Sequence, residues 1–525
     1  MRIGGLDDRM LRRMTLARFV ASVSSTRPLP LQAALWLGLL GASLPAQELD
    51  PMTNLVLVHF NDFHGQVQPL EKGLGGYAVL ASCIAEQRRR ASARRAGLLL
   101  LDSGDWFQGT PEGNESRGSL VVRLMNRLHV DAAVLGNHEF DFGHLQAQRL
   151  TDQAAYPILA ANLHAGARHT VVPWVKPYVV KVVAGMRIAI FGLITQRTRL
   201  VSTGPFGDLR YGDEIEALSR WMPRLEADSD AIVLLSHCGL AKDKELAENF
   251  PRVQLILGGH SHTSLKRPVR VGPTWIVQTG ARSQEIDRVQ LRVDPLSRRI
   301  YVVQGENLPL LASRYSPDPE VTRWLAHETA DIRKVWDRPL GRLEGDFGSR
   351  RAYGSTPAGN LVADLIREAG KAQIGVQNKG GLRTRLRTGP LTLRLTYQLL
   401  PFQNHVVAMD LTGSELRAVL SEGIESAGRP FEVSGMRYEI LRGSEGPELG
   451  RAWLASGQQI RDDEVYRVAT NSFLAGGGDG AKSFKAGHKI FHCKALLREL
   501  FVAKAKRDPV IEANGEKRIV LVEGR

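Results

Sequence analysis

At 525 residues, with 43% hydrophobic and 24% charged side chains, the chain is globular and too long for one ordinary core, so two domains are expected. Its formal charge of +14 suits an anionic partner, yet no basic run carries interleaved aromatic residues, which argues against nucleic acid. Cys83, Cys238 and Cys493 lie far apart, which excludes a disulfide framework in an exported protein; none is assigned to a metal.

The first 46 residues read as an export signal. Arg12, Arg13 and Arg18 precede an apolar segment over 31–44, followed by Ser43-Leu44-Pro45-Ala46-Gln47. This is a charged region, a short apolar region and a small-residue cleavage site after Ala46. The apolar part is too short to favour a spanning helix, and no later stretch approaches spanning length. A periplasmic or secreted location follows, with no stable membrane insertion after the signal is removed.

Next, Leu55-Val56-Leu57-Val58-His59-Phe60 is an apolar run of strand length that stops at Asn61-Asp62-Phe63-His64-Gly65. A helical pattern follows over about 77–90, with Leu80, Ile84 and Gln87 on one face. A second strand over 98–101 ends in Asp102-Ser103-Gly104-Asp105, and 119–128 is helical. The strand 132–135 leads into Gly136-Asn137-His138-Glu139-Phe140-Asp141. Strand 187–191 ends in Gly192, 231–235 in Ser236-His237-Cys238-Gly239, and 255–257 in Gly258-Gly259-His260-Ser261-His262. Continuously apolar strands alternating with helices predict an α/β layered domain whose sheets are covered on both faces. Cys238 is expected to face the core.

Between Arg314 and Gly341 the pattern changes to a polar helical stretch opened by Pro317 and Pro319. Its apolar positions are Val321, Trp324, Leu325, Ile332 and Val335, and it closes at Pro339-Leu340-Gly341. The expected organisation is a first domain over 50–312, a linker helix over 313–342 and a second domain over 343–525. A helix around 360–368, Gly380-Gly381, Pro401-Phe402 and a loop over 473–480 punctuate the second domain.

The ends of the strands in the first domain carry the chemistry. Asp62, His64, Asp105, Asn137, His138, Asp141, His237, His260 and His262 offer carboxylate, imidazole and amide ligands suited to Zn, Mn, Fe or Co. Two metals sharing a carboxylate lower the pKa of a bridging water and clamp an oxyanion during in-line displacement. Asp-x-His and His-x-His put both side chains on one side of an extended segment, because the strand period is two. Five such segments, each ending an expected strand, point jointly to one site. A His with a carboxylate three residues on, as in His138 and Asp141, is a positioned acid. Glu139 is read as structural.

These five blocks resemble the calcineurin-like metallophosphatases, and in order and wording they look like the 5′-nucleotidase family, which includes bacterial periplasmic UDP-sugar hydrolases. The resemblance covers nearly all of 55–480. It implies an α/β four-layer sandwich of β-sheets flanked by helices, with a second α/β substrate-binding domain. It also implies two divalent ions, Zn or Mn, one held by Asp62, His64, Asp105 and His262. The other would be held by Asp105, Asn137, His237 and His260, with Asp105 bridging and His138–Asp141 as the catalytic dyad.

In the second domain Asn378-Lys379-Gly380-Gly381-Leu382-Arg383, Pro401-Phe402-Gln403-Asn404 and Phe473-Leu474-Ala475-Gly476-Gly477-Gly478-Asp479-Gly480 are similar to the family's substrate loops. The resemblance implies that Phe402 and Phe473 sandwich a base, and that Asp479 accepts from ribose hydroxyls. Asn378 and Asn404 would contact ribose and base edges, and Arg383 would pair with phosphate or carboxylate. Two departures stand out. Lys379 replaces a glycine, adding bulk and charge beside the pocket. The family's further phosphate-binding Arg, counted back from Gly359-Asn360-Leu361, falls on Ala352, with Arg350 and Arg351 one or two residues out of register; Arg351 is the candidate.

The expected function is that of an exported dimetal phosphohydrolase releasing phosphate from nucleoside 5′-monophosphates, a metal-bridged water attacking phosphorus. Nucleotide-sugars and dinucleotides are further candidate substrates. The alternatives are a 2′,3′-cyclic-nucleotide phosphodiesterase/3′-nucleotidase, a sulfur-oxidation thiohydrolase, and a non-catalytic nucleotide-binding surface protein. The base sandwich with Asp479 argues against the thiohydrolase, and the dyad against the binding protein.

Overall fold

Side-chain alternation along the first strands decides the layers. In Leu55–Phe60, Leu55 and Leu57 join one core while Val56, Val58 and Phe60 join another, as the two-residue period requires. The first core lies between two six-stranded sheets and also holds Leu99, Leu101, Ile188, Ile190, Val233, Leu235, Leu255 and Leu257. The second lies under helices Tyr77–Ala93 and Ser119–Leu128 through Leu80, Ile84, Leu124 and Met125. A third covers the far face of the other sheet, where Phe191, Leu234 and Ile256 meet Leu218, Leu225 and Leu246. Each fully buried aliphatic side chain contributes about 1.5–3 kcal/mol. The result is helix, sheet, sheet, helix, as expected. Cys238 lies in the third core.

The molecule is known from a computed structural model that describes residues 50, 52–166, 170–348, 353–425, 429–443 and 446–523. The expected signal over 1–46, and Arg350, Arg351 and Ala352, lie outside the described residues. No helix among the described residues is long and apolar enough to cross a membrane.

The first sheet runs Arg299–Pro309, Glu285–Asp294, Leu55–Phe60, Gly97–Asp102, Ala132–Val134, Ile158–Leu159. Its last four strands are parallel. The second runs Val269–Val271, Thr274–Val277, Val253–Leu257, Ala231–His237, Met186–Ile194, Tyr178–Val183, with a parallel centre. The C-terminal ends of the parallel strands in both sheets open on one side, where an α/β sheet presents its site.

The stretch read as one linker helix is two. Helix Pro319–Glu328 starts with Pro319 at its first position and Asp318 accepting from Val321 N at 2.9 Å, a standard cap. It breaks at Thr329, and Ala330–Trp336 follows with no buried residue. Only the first helix places Val321 and Leu325 in the core. Pro339 then opens a strand, Pro339–Glu344, which pairs with Gly389–Thr392 and Val510–Glu512.

Beyond it a five-stranded sheet runs Glu432–Ser434, Ile374–Gln377, Val465–Asn471, His405–Thr412, His488–Leu496. Helices Pro357–Ala369, Gly413–Glu425 and Leu497–Arg507 bury residues in cores on its two faces. The described residues from 50 onward pack as one unit. Arg394 ties its halves together: its Nη1 donates to both Glu112 carboxylate oxygens at 2.6 Å and its Nε to Asp337 at 2.5 Å. Such bidentate, charge-assisted contacts fix orientation as well as adding energy.

Candidate metal centre and substrate cavity

Strand Leu55–Phe60 ends one residue before Asn61, and Val253–Leu257 ends before Gly258. The motif residues therefore sit in turns rather than on extended segments, which corrects the expected cause of their shared direction. Asp62, His64, Asp105, His260 and His262 all have left-handed backbone, with φ between 50° and 72°. Non-glycine residues seldom adopt this region, and strain of this kind collects where a site demands it.

The turns bring two acidic–imidazole groups together. Asp62, His64, Asp105 and His262 form one, and Asp105, His237 and His260 the other; ligand atoms in each lie within 4.8 Å of one another. His64 Nε2 is 3.0 Å from His262 Nε2, and His262 Nε2 is 3.2 Å from Asp62 Oδ1. Asp105 Oδ2 lies 3.2 Å from His237 Nε2 and 4.0 Å from His64 Nε2, so one carboxylate reaches both groups. All but His260 and His262 are buried.

The hydrogen bonds around them leave ligand atoms bare. His64 Nδ1 donates to Gln108 O at 2.7 Å and His237 Nδ1 to Ser103 O at 2.5 Å. Each bond turns the other ring nitrogen, Nε2, into the cluster, as a metal-ligating histidine requires. Asn137 Oδ1 is buried with no hydrogen-bond partner, and Asp62 Oδ1 and His237 Nε2 meet only other groups of the cluster, a costly condition unless a cation is bound. These residues fit a pair of divalent ions. Burial lowers the His64 pKa, and desolvation of the half-buried His260 brings it to about 3, with positive neighbours adding to both shifts. Burial opposes the charged forms of Asp105 and His237, but their mutual attraction wins. It holds Asp105 well below the carboxylate range and raises His237 to about 10.

His138 and Asp141 flank the cluster on a short turn. His138 Nδ1 donates to Asp141 Oδ2 at 2.7 Å, and its Nε2 stands 3.9 Å from Asp105 Oδ2. Burial pulls the imidazole pKa down, but Asp141 and Asp105 outweigh it and raise it. Asp141 is itself held, its Oδ1 accepting from Ser202 Oγ at 2.6 Å.

Two supports stand behind the cluster, and the sequence reading names only the first as structural. Glu139, read only as structural, accepts from Gly136 N at 2.7 Å, Trp106 N at 2.8 Å and Asp105 N at 3.0 Å, joining the two loops that carry Asp105 and Asn137. Gly136 permits that join: a Cβ there would stand 2.2 Å from Asp105 Oδ1. Behind His237, Ser103 Oγ lies 2.9 Å from His59 Nε2, whose Nδ1 faces Asp287 Oδ2 at 3.1 Å. Only Glu139 had a signal available, its place in the Asn-His-Glu motif; His59 reads in sequence as one more strand residue.

Facing the cluster, a cavity of about 500 Å³ is lined by Asp105, Asn137, His138 and His262 together with Asn378, Arg383, Phe402, Asn404, Phe473 and Asp479. Every expected substrate residue except Arg351, which is not described, is therefore on one wall. Asn378 Nδ2 donates to Asp479 Oδ2 at 2.7 Å. Gly478 lets the Phe473 ring lie against the loop, since a Cβ would come within 2.5 Å of it. Phe402 stands 6.0 Å from the His138 ring, and the Arg383 guanidinium lies 5.7 Å from the Phe402 centroid. Lys379 lines the cavity as expected, but its charge is taken up elsewhere. Its Nζ donates to Gly354 O at 2.7 Å and pairs with buried Glu432 at 2.5 Å, so its charge braces the loop instead of loading the pocket.

The family description "Calcineurin-like phosphoesterase" matches residues 55–264, and "5′-nucleotidase, C-terminal domain" matches 339–486. Among solved structures, the chain is similar to the 5′-nucleotidase precursor from Thermus thermophilus. The two are 30% identical with a TM-score of 0.81, over 90% of this chain and 100% of that one. It is 27% identical over 509 residues to a 5′-nucleotidase of Vibrio cholerae, covering 86% of this chain and 90% of the relative. It is also 27% identical over 501 residues to the trifunctional nucleotide phosphoesterase protein YfkN of Bacillus subtilis. That match covers 85% of this chain but 33% of the larger protein, so the chain spans about a third of its length.

Proposed function

Because the chain belongs to the 5′-nucleotidase family of metal-dependent phosphoester hydrolases, we propose that it is an exported enzyme releasing phosphate from nucleoside 5′-monophosphates. The observation that carries this reading is the pair of Asp/His groups meeting at Asp105, with the His138–Asp141 pair beside them and an aromatic cavity opposite. Asp62, His64, Asp105 and His262 would hold one divalent ion, and Asp105, Asn137, His237 and His260 the other. When bound, such ions polarise the phosphoryl group and make water a nucleophile near neutral pH.

The chain's own groups do the rest. Asp141 orients His138 and favours its protonated form, so Nε2 carries the proton that the leaving oxygen needs. Arg383 pairs with phosphate oxygens. Phe402 and Phe473 hold the base between them, and Asp479 and Asn378 take the ribose hydroxyls. The division into a catalytic domain over 50–312 and a substrate domain over 343–525 belongs to the same proposal. The periplasmic or secreted location rests on the N-terminal pattern alone.

The test is phosphate release by the metal-stripped protein refilled with Mn or Zn. It should run on AMP, 3′-AMP, a 2′,3′-cyclic nucleotide, a UDP-sugar and bis(p-nitrophenyl) phosphate. His138→Ala is expected to lower AMP turnover by about 10²–10⁴-fold while keeping its metals and its melting temperature. Full activity in that variant would remove His138 from the chemistry. Activity confined to the cyclic substrate would replace the nucleotidase with a phosphodiesterase, and silence on every substrate would sink the hydrolase. Phe473→Ala should raise the KM for AMP roughly tenfold, as loss of one base–aromatic stack predicts; an unchanged KM would mean that Phe473 does not touch the base.

A further inference from the structure

Separate loops of the second domain bring Asn378, Asn404, and Phe473 with Asp479 to the cavity wall. Asn471 and Ser472, neighbours at the end of strand Val465–Asn471, touch all of these loops. The strand lies parallel to Ile374–Gln377, with Thr470 opposite Val376, and antiparallel to His405–Thr412, with Asn471 opposite Val406. This register sets Asn471 beside Gln377 and Asn378, and Ser472 beside Asn404. Asn471 and Gln377 are buried.

The hydrogen bonds of Asn471 run in one sense only. The Leu474 backbone N–H donates to Asn471 Oδ1 at 3.0 Å, capping the short helix Ser472–Ala475 that carries Phe473. The amide nitrogen then faces the other way, and Nδ2 donates to Gln377 Oε1 at 2.9 Å and to Asn378 Oδ1 at 3.0 Å. Gln377 Nε2 donates in turn to Asn378 O at 2.9 Å and to Asn378 Oδ1 at 3.1 Å. A backbone donor begins this chain and a backbone acceptor ends it. Neither amide can turn over without setting donor against donor or acceptor against acceptor. Asn378 Oδ1 is thus taken from behind, and its Nδ2 is the group that meets Asp479 Oδ2 at 2.7 Å. Next along the chain, Ser472 Oγ donates to Asn404 Oδ1 at 3.3 Å and accepts the His405 N–H at 3.3 Å.

We propose that Asn471 is a positioning residue for the nucleoside. Its one amide holds Phe473 and the Asn378–Asp479 pair in a common register, so that base and ribose hydroxyls are met together. The inference rests on the nucleotidase reading of the cavity. A phosphoester without ribose makes no demand on this network, so Asn471 acts on the choice of leaving group and not on the metal centre.

Asn471→Ser tests this in the Mn-loaded full chain. Serine caps a helix about as well as asparagine but is too short to reach Asn378, so the bond from Leu474 is kept while the amide arm is lost. KM for AMP is expected to rise about tenfold with kcat little changed, the pattern of lost uniform binding. The advantage of AMP over 2′,3′-dideoxy-AMP in kcat/KM should shrink by a similar factor, and so should its advantage over p-nitrophenyl phosphate, which has no ribose. Asn471→Asp keeps the volume but turns a carboxylate oxygen on Gln377 Oε1 and Asn378 Oδ1, and should lose at least as much. Equal losses on AMP and p-nitrophenyl phosphate, or an AMP preference intact in both variants, would overturn the assignment. So would variants that no longer melt cooperatively, since Asn471 would then be a support of the fold. A parent chain that does not distinguish AMP from dideoxy-AMP removes the nucleoside reading itself, and this inference with it. A parent that does, with variants that do so equally, removes Asn471 alone.

Discussion

Asp105→Asn is expected to strip metal from both halves of the cluster and to lower phosphate release by about 10³-fold or more, the scale of several kcal/mol of transition-state stabilisation. The expectation follows from the position of a single carboxylate. Asp105 Oδ2 faces His237 Nε2 at 3.2 Å and His64 Nε2 at 4.0 Å, while Oδ1 accepts the His138 backbone N–H at 2.9 Å. Asparagine keeps the volume against Gly136, so the change removes charge and leaves the packing. Without that charge the surrounding imidazoles lose their common anion, and position 105 could no longer serve ions held on both sides of it. Elemental analysis should fall from two ions per chain, and the metal-dependent rise in melting temperature should shrink. An Asn variant that still holds two ions and works normally would show that Asp105 is not the bridge.

Glu139→Ala should be the most destabilising single change near the site, at about 3 kcal/mol or more, because each buried donor left unpaired costs about 1–3 kcal/mol. The carboxylate holds the amides of Asp105, Trp106 and Gly136 with no solvent contact. Burial pushes its pKa up to about 7 and Asp105 adds to that, while the Trp106 and Gly136 amides pull it back. Glu139→Gln restores one acceptor but turns an amide NH₂ toward a row of donors, and should recover only part of the loss. Thermal unfolding with and without Mn separates the two effects. Loss of stability in both conditions marks a support of the fold, whereas loss only with Mn would mean that Glu139 acts through the metals. An Ala variant as stable as the parent would remove the residue from either part.

The sequence by itself determined the layers and the kind of chemistry. Runs such as Leu55–Phe60 and Ala231–His237 are apolar on both faces, and only a sheet covered on both sides buries such a run. Aspartate and histidine placed directly after those runs named a metal-ligating set before any geometry was known, and the Asn378, Phe402 and Phe473 loops announced a substrate wall. Tertiary structure decided the rest, because it depends on partners distant in sequence. Pleat alternation suggested why Asp62 and His64, or His260 and His262, face one way. The actual cause is left-handed turns beyond the strand ends, whose cost only the assembled site can offset. His59 acts on side chains contributed by other segments and has no local signature, whereas Glu139 stands in the Asn-His-Glu motif but two of its three partners come from the loop of Asp105. Lys379 looked like a charge added to the pocket until Glu432, 53 positions later, was found beneath it.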